Sequence, residues 1–301
     1  MNILRKIQYD QFWNIGFSEI SPEEFIGNKK LTSVKWLQHP YKDRWFADPF
    51  ILKVTDDEIV VFVEECPIEN PKGIICELVI NRKTMRLKNR YVLLEKDTHL
   101  SYPAIIRQGG KVYVYPENGA SGELNIYEYD ELNHRLINPV CILNEALADA
   151  TILEYDRRYY LSTTKSPETQ AGAFLYSSDS LFGPYVQVSG EPYQISEKCS
   201  RQGGNWLLNN GIIYRPAQDC VERYGSALTI MKVTKLLGGI CEKEYIHVNP
   251  VKGRYGLGIH TINFAEQMCV VDGFGHLLPF VGRIYYSSVF HRIVNCIKGR
   301  L

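Results

Sequence analysis

Short apolar runs recur along the chain, each opened by polar residues and followed by a turn and a second run. Trp45-Phe46-Ala47-Asp48-Pro49-Phe50-Ile51-Leu52 sets the pattern. Ser101-Tyr102-Pro103-Ala104-Ile105-Ile106, Ala148-Asp149-Ala150-Thr151-Ile152-Leu153 and the stretches 201–208 and 258–264 repeat it. With Asp48, Ser101, Asp149, Arg201 and His260 as markers, the intervals are 53, 48, 52 and 59 residues. Second runs follow at 59–65, 111–117, 158–165, 211–219 and 268–273, and the first four units continue into two further runs. The runs are short and rich in Val, Ile, Tyr and Phe, and Val112-Tyr113-Val114-Tyr115 lies in one of them. Such composition and length favour strands, whose neighbouring side chains face opposite surfaces. A period near 50 residues with about four strands per unit predicts an all-β, five-bladed β-propeller.

Strands joined by tight turns are antiparallel, so each first strand starts at the edge where its second strand ends. One face of the ring is therefore expected to collect Asp48, Glu64, Glu65, Ser101, Tyr102, Glu117, Asp149, Lys165, Arg201, Arg215, Asp219, His260 and Asp272. Charged groups on the rim of a rigid apolar scaffold are a natural place for a site.

The ends of the chain depart from the period. Residues 1–40 contain two further strand-like runs, at 12–17 and 31–36, expected to return and complete the fifth unit, so that no sheet edge stays open. Ser21-Pro22-Glu23-Glu24 carries the Ser cap and the early Pro of a short helical turn. Residues 45–285 hold the blades, and 286–301 read as a short amphipathic helix with apolar positions 290, 293, 294, 297 and 301. Packing on its own domain is the first expectation for this basic helix, and peripheral contact with an anionic membrane face the second. The whole of 1–301 is expected to be one domain.

Composition narrows the function. Lys plus Arg and Asp plus Glu are 34 each, so no net field draws the chain to nucleic acid. The 8 Cys show no CxxC spacing and no His pattern for zinc, and read as reduced thiols. The first ten residues lack an apolar core and no run spans a bilayer, which fits a cytoplasmic location. No cofactor and no metal are expected.

Ala47-Asp48-Pro49-Phe50 with Ala148-Asp149-Ala150 resembles the furanosidase-like propeller superfamily of arabinanases, invertases, levansucrases and mannoside phosphorylases. A wider set is similar to the amino-terminal propeller domain of glucosamine inositolphosphorylceramide transferases and bacterial relatives associated with surface-glycan synthesis. It comprises 45–50, Ser101-Tyr102-Pro103, Tyr115-Pro116-Glu117, Asp149-Ala150-Thr151, 215–220, His260-Thr261-Ile262-Asn263 and Val271-Asp272-Gly273. In the hydrolases, the resemblance implies, the first-blade Asp is base or nucleophile, the third-blade Asp orients and tunes, and a fourth-blade Glu is the acid. Asp48 and Asp149 match the first two roles. The fourth unit opens instead with Arg201-Gln202-Gly203-Gly204, which leaves Glu117 or Glu65 to supply a protonated carboxyl. Some members place a metal-associated His on the axis, where His260 falls.

The Arg departure points toward an anionic donor, since guanidinium groups pair with phosphate through two donors. The expected catalytic set is Asp48, Glu117 and Asp149. The expected binding set is Glu65, Tyr102, Arg201, Arg215, Asp219, His260 and Asp272. Trp45, Tyr102 and Trp206 offer rings for stacking on sugars, or pack the core instead. Gly203-Gly204 has no strand-loop-helix context and is assigned to close backbone packing. Three readings follow: glycosyl transfer from a phosphorylated or nucleotide sugar to a glycan or lipid-linked acceptor in glycan assembly; glycoside hydrolysis by Asp48 with a Glu acid; and a non-catalytic glycan-binding or scaffolding propeller.

Overall fold

The computed structural model describes residues 12–31, 33–170, 172–236 and 238–276. The helix expected at 286–301, with its membrane contact, lies outside them. No helix among the described residues is long and apolar enough to cross a membrane.

The described residues open with β1 (Phe12–Ser18) and β2 (Lys35–Trp36), then lay down four meanders. Blade one is β3 (Arg44–Val54), β4 (Glu58–Pro67), β5 (Ile74–Asn81) and β6 (Leu87–Leu94). Blade two is β7 (Ser101–Gln108), β8 (Lys111–Glu117), β9 (Leu124–Asp130) and β10 (Arg135–Leu143). Blade three is β11 (Leu147–Tyr155), β12 (Arg158–Lys165), β13 (Ala173–Ser178) and β14 (Val186–Gln187). Blade four is β15 (Leu207–Asn209), β16 (Ile212–Asp219), β17 (Ala227–Lys235) and β18 (Cys241–Val248). Blade five begins with β19 (Ile262–Ala265) and β20 (Met268–Gly275), and β1 and β2 return to finish it in the order β19-β20-β1-β2. The fold is a five-bladed β-propeller.

Closure is a continuous antiparallel register from Phe12 opposite Gly275 to Ser18 opposite Cys269. Trp36 on β2 clamps this blade: a Cβ on Gly273 would meet its ring at 2.3 Å, and one on Gly16 at 2.8 Å. Between β1 and β2, α1 (Pro22–Asn28) forms two turns rather than the single turn expected. Ser21 and Glu24 make a reciprocal capping box there. Its Phe25 and Ile26 are buried against blades four and five.

The core lies in wedges between blades, as period-two alternation requires. On β4, Phe62 packs with Val114 and Tyr127 of blade two, while Val61 and Val63 pack with Ile15, Phe17 and Val270 of blade five. Tyr115 meets Ile152 and Leu161 between blades two and three, and Tyr160 meets Trp206 and Ile213 between three and four. Most large apolar residues are buried in these wedges, and polar groups are left at the axis.

Candidate active site

One local device builds the site three times. Ala47 pairs with Glu64 but Phe50 with Phe62, so β3 carries one residue more than its partner. Ser101–Glu117 and Ala104–Tyr115 repeat this in blade two, and Ala148–Thr164 and Thr151–Ser162 in blade three. These are β-bulges, which re-aim a side chain at a strand end. The residues at the bulges, Asp48, Tyr102 and Asp149, have φ of 49°, 46° and 50°. Asp tolerates this left-handed conformation because its short side chain bonds locally, whereas Tyr is an unusual occupant. The structural counterpart of Asp48 and Asp149 in blade two is therefore Tyr102, one residue beyond the Ser101 marker.

Asp48, 4% exposed, joins a network that ties blades one and five. Its Oδ1 accepts from the Thr261 hydroxyl at 2.7 Å and its Oδ2 from the Tyr102 amide at 3.2 Å. Asp272 accepts from the amides of Asp48, His260 and Thr261 and lies 2.5 Å from His260 Nδ1. Trp13 of the closing strand stacks on the His260 ring at 4.0 Å and 17°. Burial lifts the Asp48 carboxyl to about 7 against the pull of His260, with Glu64, Asp149 and Asp272 adding to the rise. Burial opposes the charge on His260, yet Asp272 and Asp48 outweigh it and raise the imidazole to about 9.

A second network joins blades two, three and four. The Asp149 amide donates to Glu117 Oε2 at 3.0 Å. Arg201 Nε donates to Asp149 Oδ2, its Nη1 donates to the Thr169 hydroxyl at 2.9 Å, and its Nη2 lies 3.8 Å from Glu117. Gln218 Nε2 reaches the same Asp149 oxygen at 2.9 Å. Burial, then the Asp149 charge, holds Glu117 well above the usual carboxyl range, against the nearby Arg201. Glu117 is thus held toward its protonated form, next to an Asp149 that Arg201 binds directly. Tyr224 bridges the two networks, with the Arg201 guanidinium 5.0 Å from its ring and His260 edge-on at 5.3 Å.

Asp48, His260 and Asp272 each offer a ligand atom, all within 4.8 Å of one another. The Asp272 oxygens are already occupied by three amides and His260 Nδ1, so the set fits a hydrogen-bonded ion pair better than a cation site.

The family model for "Glucosamine inositolphosphorylceramide transferase 1, N-terminal" matches residues 14–254. The chain belongs to this family. It is 27% identical over 271 residues to glucosamine inositolphosphorylceramide transferase 1 of Oryza sativa subsp. japonica, covering 82% of this chain and 36% of that protein. It is 26% identical over 292 residues to the Arabidopsis thaliana protein of that name, covering 89% and 36%. The chain thus spans little more than a third of the length of these relatives. An exo-β-1,3-galactanase from Phanerochaete chrysosporium superposes with a TM-score of 0.54 at 12% identity, covering 67% of this chain and 49% of that one. A family 117 glycoside hydrolase from Zobellia galactanivorans reaches 0.54 at 11% identity over 89% of this chain and 91% of its own. At such identities the likeness is one of fold.

In this member of the transferase amino-terminal family, Asp48, Glu117, Asp149, Arg201, His260 and Asp272 converge at the axial mouth, and four expected binding residues do other work. Arg215 is wholly buried, and its donors go to Glu242, Gln202 Oε1 and the Cys199 carbonyl, so it faces the wedge toward blade three. Glu65 points into blade one, where Arg44, Arg90 and the Cys76 thiol enclose it. Tyr102 is 0% exposed; its hydroxyl accepts from the Gly204 amide at 2.7 Å and bonds Thr151 at 3.1 Å, so no ring face is left for a sugar. Asp219 caps the loop to β17 through the Val221 amide at 3.1 Å. Trp206 is buried between blades three and four, and Trp45 packs beside Phe12 and Ile68. The Gly203-Gly204 step is a close approach, since a Cβ on Gly204 would sit 1.9 Å from the Ile262 carbonyl oxygen.

Thr169, Gln218, Tyr224, Thr261 and Trp13 escape sequence reasoning. Thr261 lies beside a marker and Trp13 within the expected closing strand. The 169 and 224 loops carry no periodic signal. Glu64 reaches the rim, and its Oε1 lies 3.2 Å from Nε2 of His99, whose Nδ1 accepts the Gly73 amide at 2.9 Å. That acceptance leaves the ring proton on Nε2, facing the carboxylate.

Proposed function

We propose that the axial mouth is a carbohydrate site that moves a glycosyl group onto an acceptor hydroxyl. In it Asp48 removes the hydroxyl proton, and Glu117 protonates the oxygen that leaves the anomeric carbon. Asp149, locked by Arg201, stabilises the positive charge that develops on the sugar ring. The family supports the sugar class, since the named relatives are glucosamine inositolphosphorylceramide transferases. The observation that carries the reading is the meeting of Asp48, Glu117 and Asp149 from three blades, where burial lifts the Asp48 carboxyl to about 7 and holds that of Glu117 well above the usual carboxyl range. An acid and a base are thus available at neutral pH.

With Arg215 in the core and Arg201 held by Asp149 beside Glu117, the mouth suits a neutral glycosidic oxygen as leaving group better than a phosphate. A sugar or lipid-linked hydroxyl fits as acceptor, and water in its place would give hydrolysis. A second reading, a glycan-binding module, draws on the Asp48 carboxylate, which is 6% exposed and engaged at both oxygens.

The two part experimentally. Wild type, Asp48→Asn and Glu117→Gln are incubated with glycosides, nucleotide sugars and sugar phosphates, with turnover followed by chromatography and binding by calorimetry. Turnover in wild type that falls at least about a hundredfold in both variants, with binding kept, supports the enzyme; this is the usual size of an acid–base contribution. Undiminished glycan affinity with no turnover in any protein leaves the binding module.

A further inference from the structure

The mouth does not end at Arg201. A surface cavity of about 580 Å³ lies beside it, lined by Pro167, Glu168, Thr169, Gln170, Ile195, Ser196 and Glu197. This is within the size range of small-molecule sites. Cavity and mouth share a wall: Thr169 lines the cavity while its hydroxyl accepts from Arg201, whose other edge holds Asp149. The Glu197 carbonyl accepts the Cys220 amide at 2.8 Å, which fastens the cavity's far lip to the loop that carries Tyr224 over Arg201. The cavity and the axial network are therefore neighbours, joined through Thr169 and Arg201.

We propose that this cavity is a second sugar subsite, so that the ligand is an extended, uncharged glycan of two or more residues running from the axis over Arg201 and Thr169. The inference rests on the carbohydrate reading of the mouth. Its chemistry follows from the lining. Glu168 and Glu197 are exposed carboxylates that repel phosphate and accept hydroxyl protons. Thr169, Gln170 and Ser196 add short polar groups, and Ile195, 72% exposed, offers an apolar surface for the C–H face of a sugar ring.

The test is calorimetry against a panel of neutral mono-, di- and trisaccharides and the matching sugar 1-phosphates, using wild type, Ile195→Trp and Glu168→Trp. Both substitutions fill the cavity from exposed positions, and melting temperatures check the fold. The expected result is a trisaccharide bound about tenfold or more tighter than its monosaccharide by wild type, with that gain lost in at least one variant. A monosaccharide that binds with no gain from added residues, or a gain that survives both variants, overturns the subsite and leaves the mouth reading intact. Preference for the sugar 1-phosphates overturns the uncharged class. Failure of every sugar to bind wild type overturns the mouth reading and this inference with it.

Discussion

His260 shows how much one side chain carries here. It is 3% exposed, stacked under Trp13, and charged because Asp272 and Asp48 face it. Its folded value of about 9 lies above the unfolded value near 6.5, so its contribution is complete below about pH 6.5 and is lost as pH rises through 9. Asp48 works in another window. Its value of about 7 is also raised, so the folded protein gains from its proton below about pH 4 and loses that gain as pH climbs to 7. Between pH 7 and 9.5 the His260 loss dominates this network, on the order of 3 kcal/mol. Urea midpoints should fall over that interval in wild type and stay nearly flat in His260→Gln. A variant that follows the wild-type slope would show that the imidazolium is not what holds the axis. The sequence grouped His260, Asp48, Asp149, Arg201 and Asp272 because four of them are the period's markers and Asp272 stands near the end of a second run. It misplaced Arg215 and Glu65 because their partners, Glu242 on β18 and Arg90 on β6, lie two strands outward, where no local pattern announces them.

Elements act through the bulge. A regular pairing would alternate side chains strictly, and the extra residue in β3, β7 and β11 breaks that alternation at Asp48, Tyr102 and Asp149. The bulge was hidden in the sequence, where Asp-Pro, Tyr-Pro and Asp-Ala differ in chemistry and only the spacing hinted at a common place. Its cost can be separated from that of charge. Asn and Asp both tolerate the left-handed backbone found at Asp149, whereas Ala does not. Asp149→Asn removes the charge that faces Arg201 and Gln218, while Asp149→Ala also forces an ill-suited residue into φ of 50°. The Ala variant should be less stable than the Asn variant by about 1–2 kcal/mol in chemical denaturation. Equal stabilities would mean that charge alone fixes Asp at the bulge.

At the scale of the molecule, the ring depends on a bond between distant ends. The period near 50 made five blades legible, and the shortage of strands after residue 273 pointed to the opening segment as the missing material. Blade four was read less well: its first strand shrinks to Leu207–Asn209 because the Gly203-Gly204 step presses against blade five instead of extending. In β1, Phe12, Trp13, Ile15 and Phe17 are all at most 5% exposed. At about 1.5–3 kcal/mol for each buried apolar side chain, their burial rivals the 5–15 kcal/mol net stability of a typical domain. Removing residues 1–18 would also expose the full hydrogen-bonding edge of β20 and take Trp13 off His260. The truncated chain is expected to lose cooperative unfolding and to bind a hydrophobic dye at room temperature. A peptide of residues 9–20 added in trans should restore both the transition and the His260 pH dependence by strand addition on β20. A truncated protein that melts as wild type does, with the same pH profile, would show that the axis is held by the other four blades and that β1 merely covers an edge.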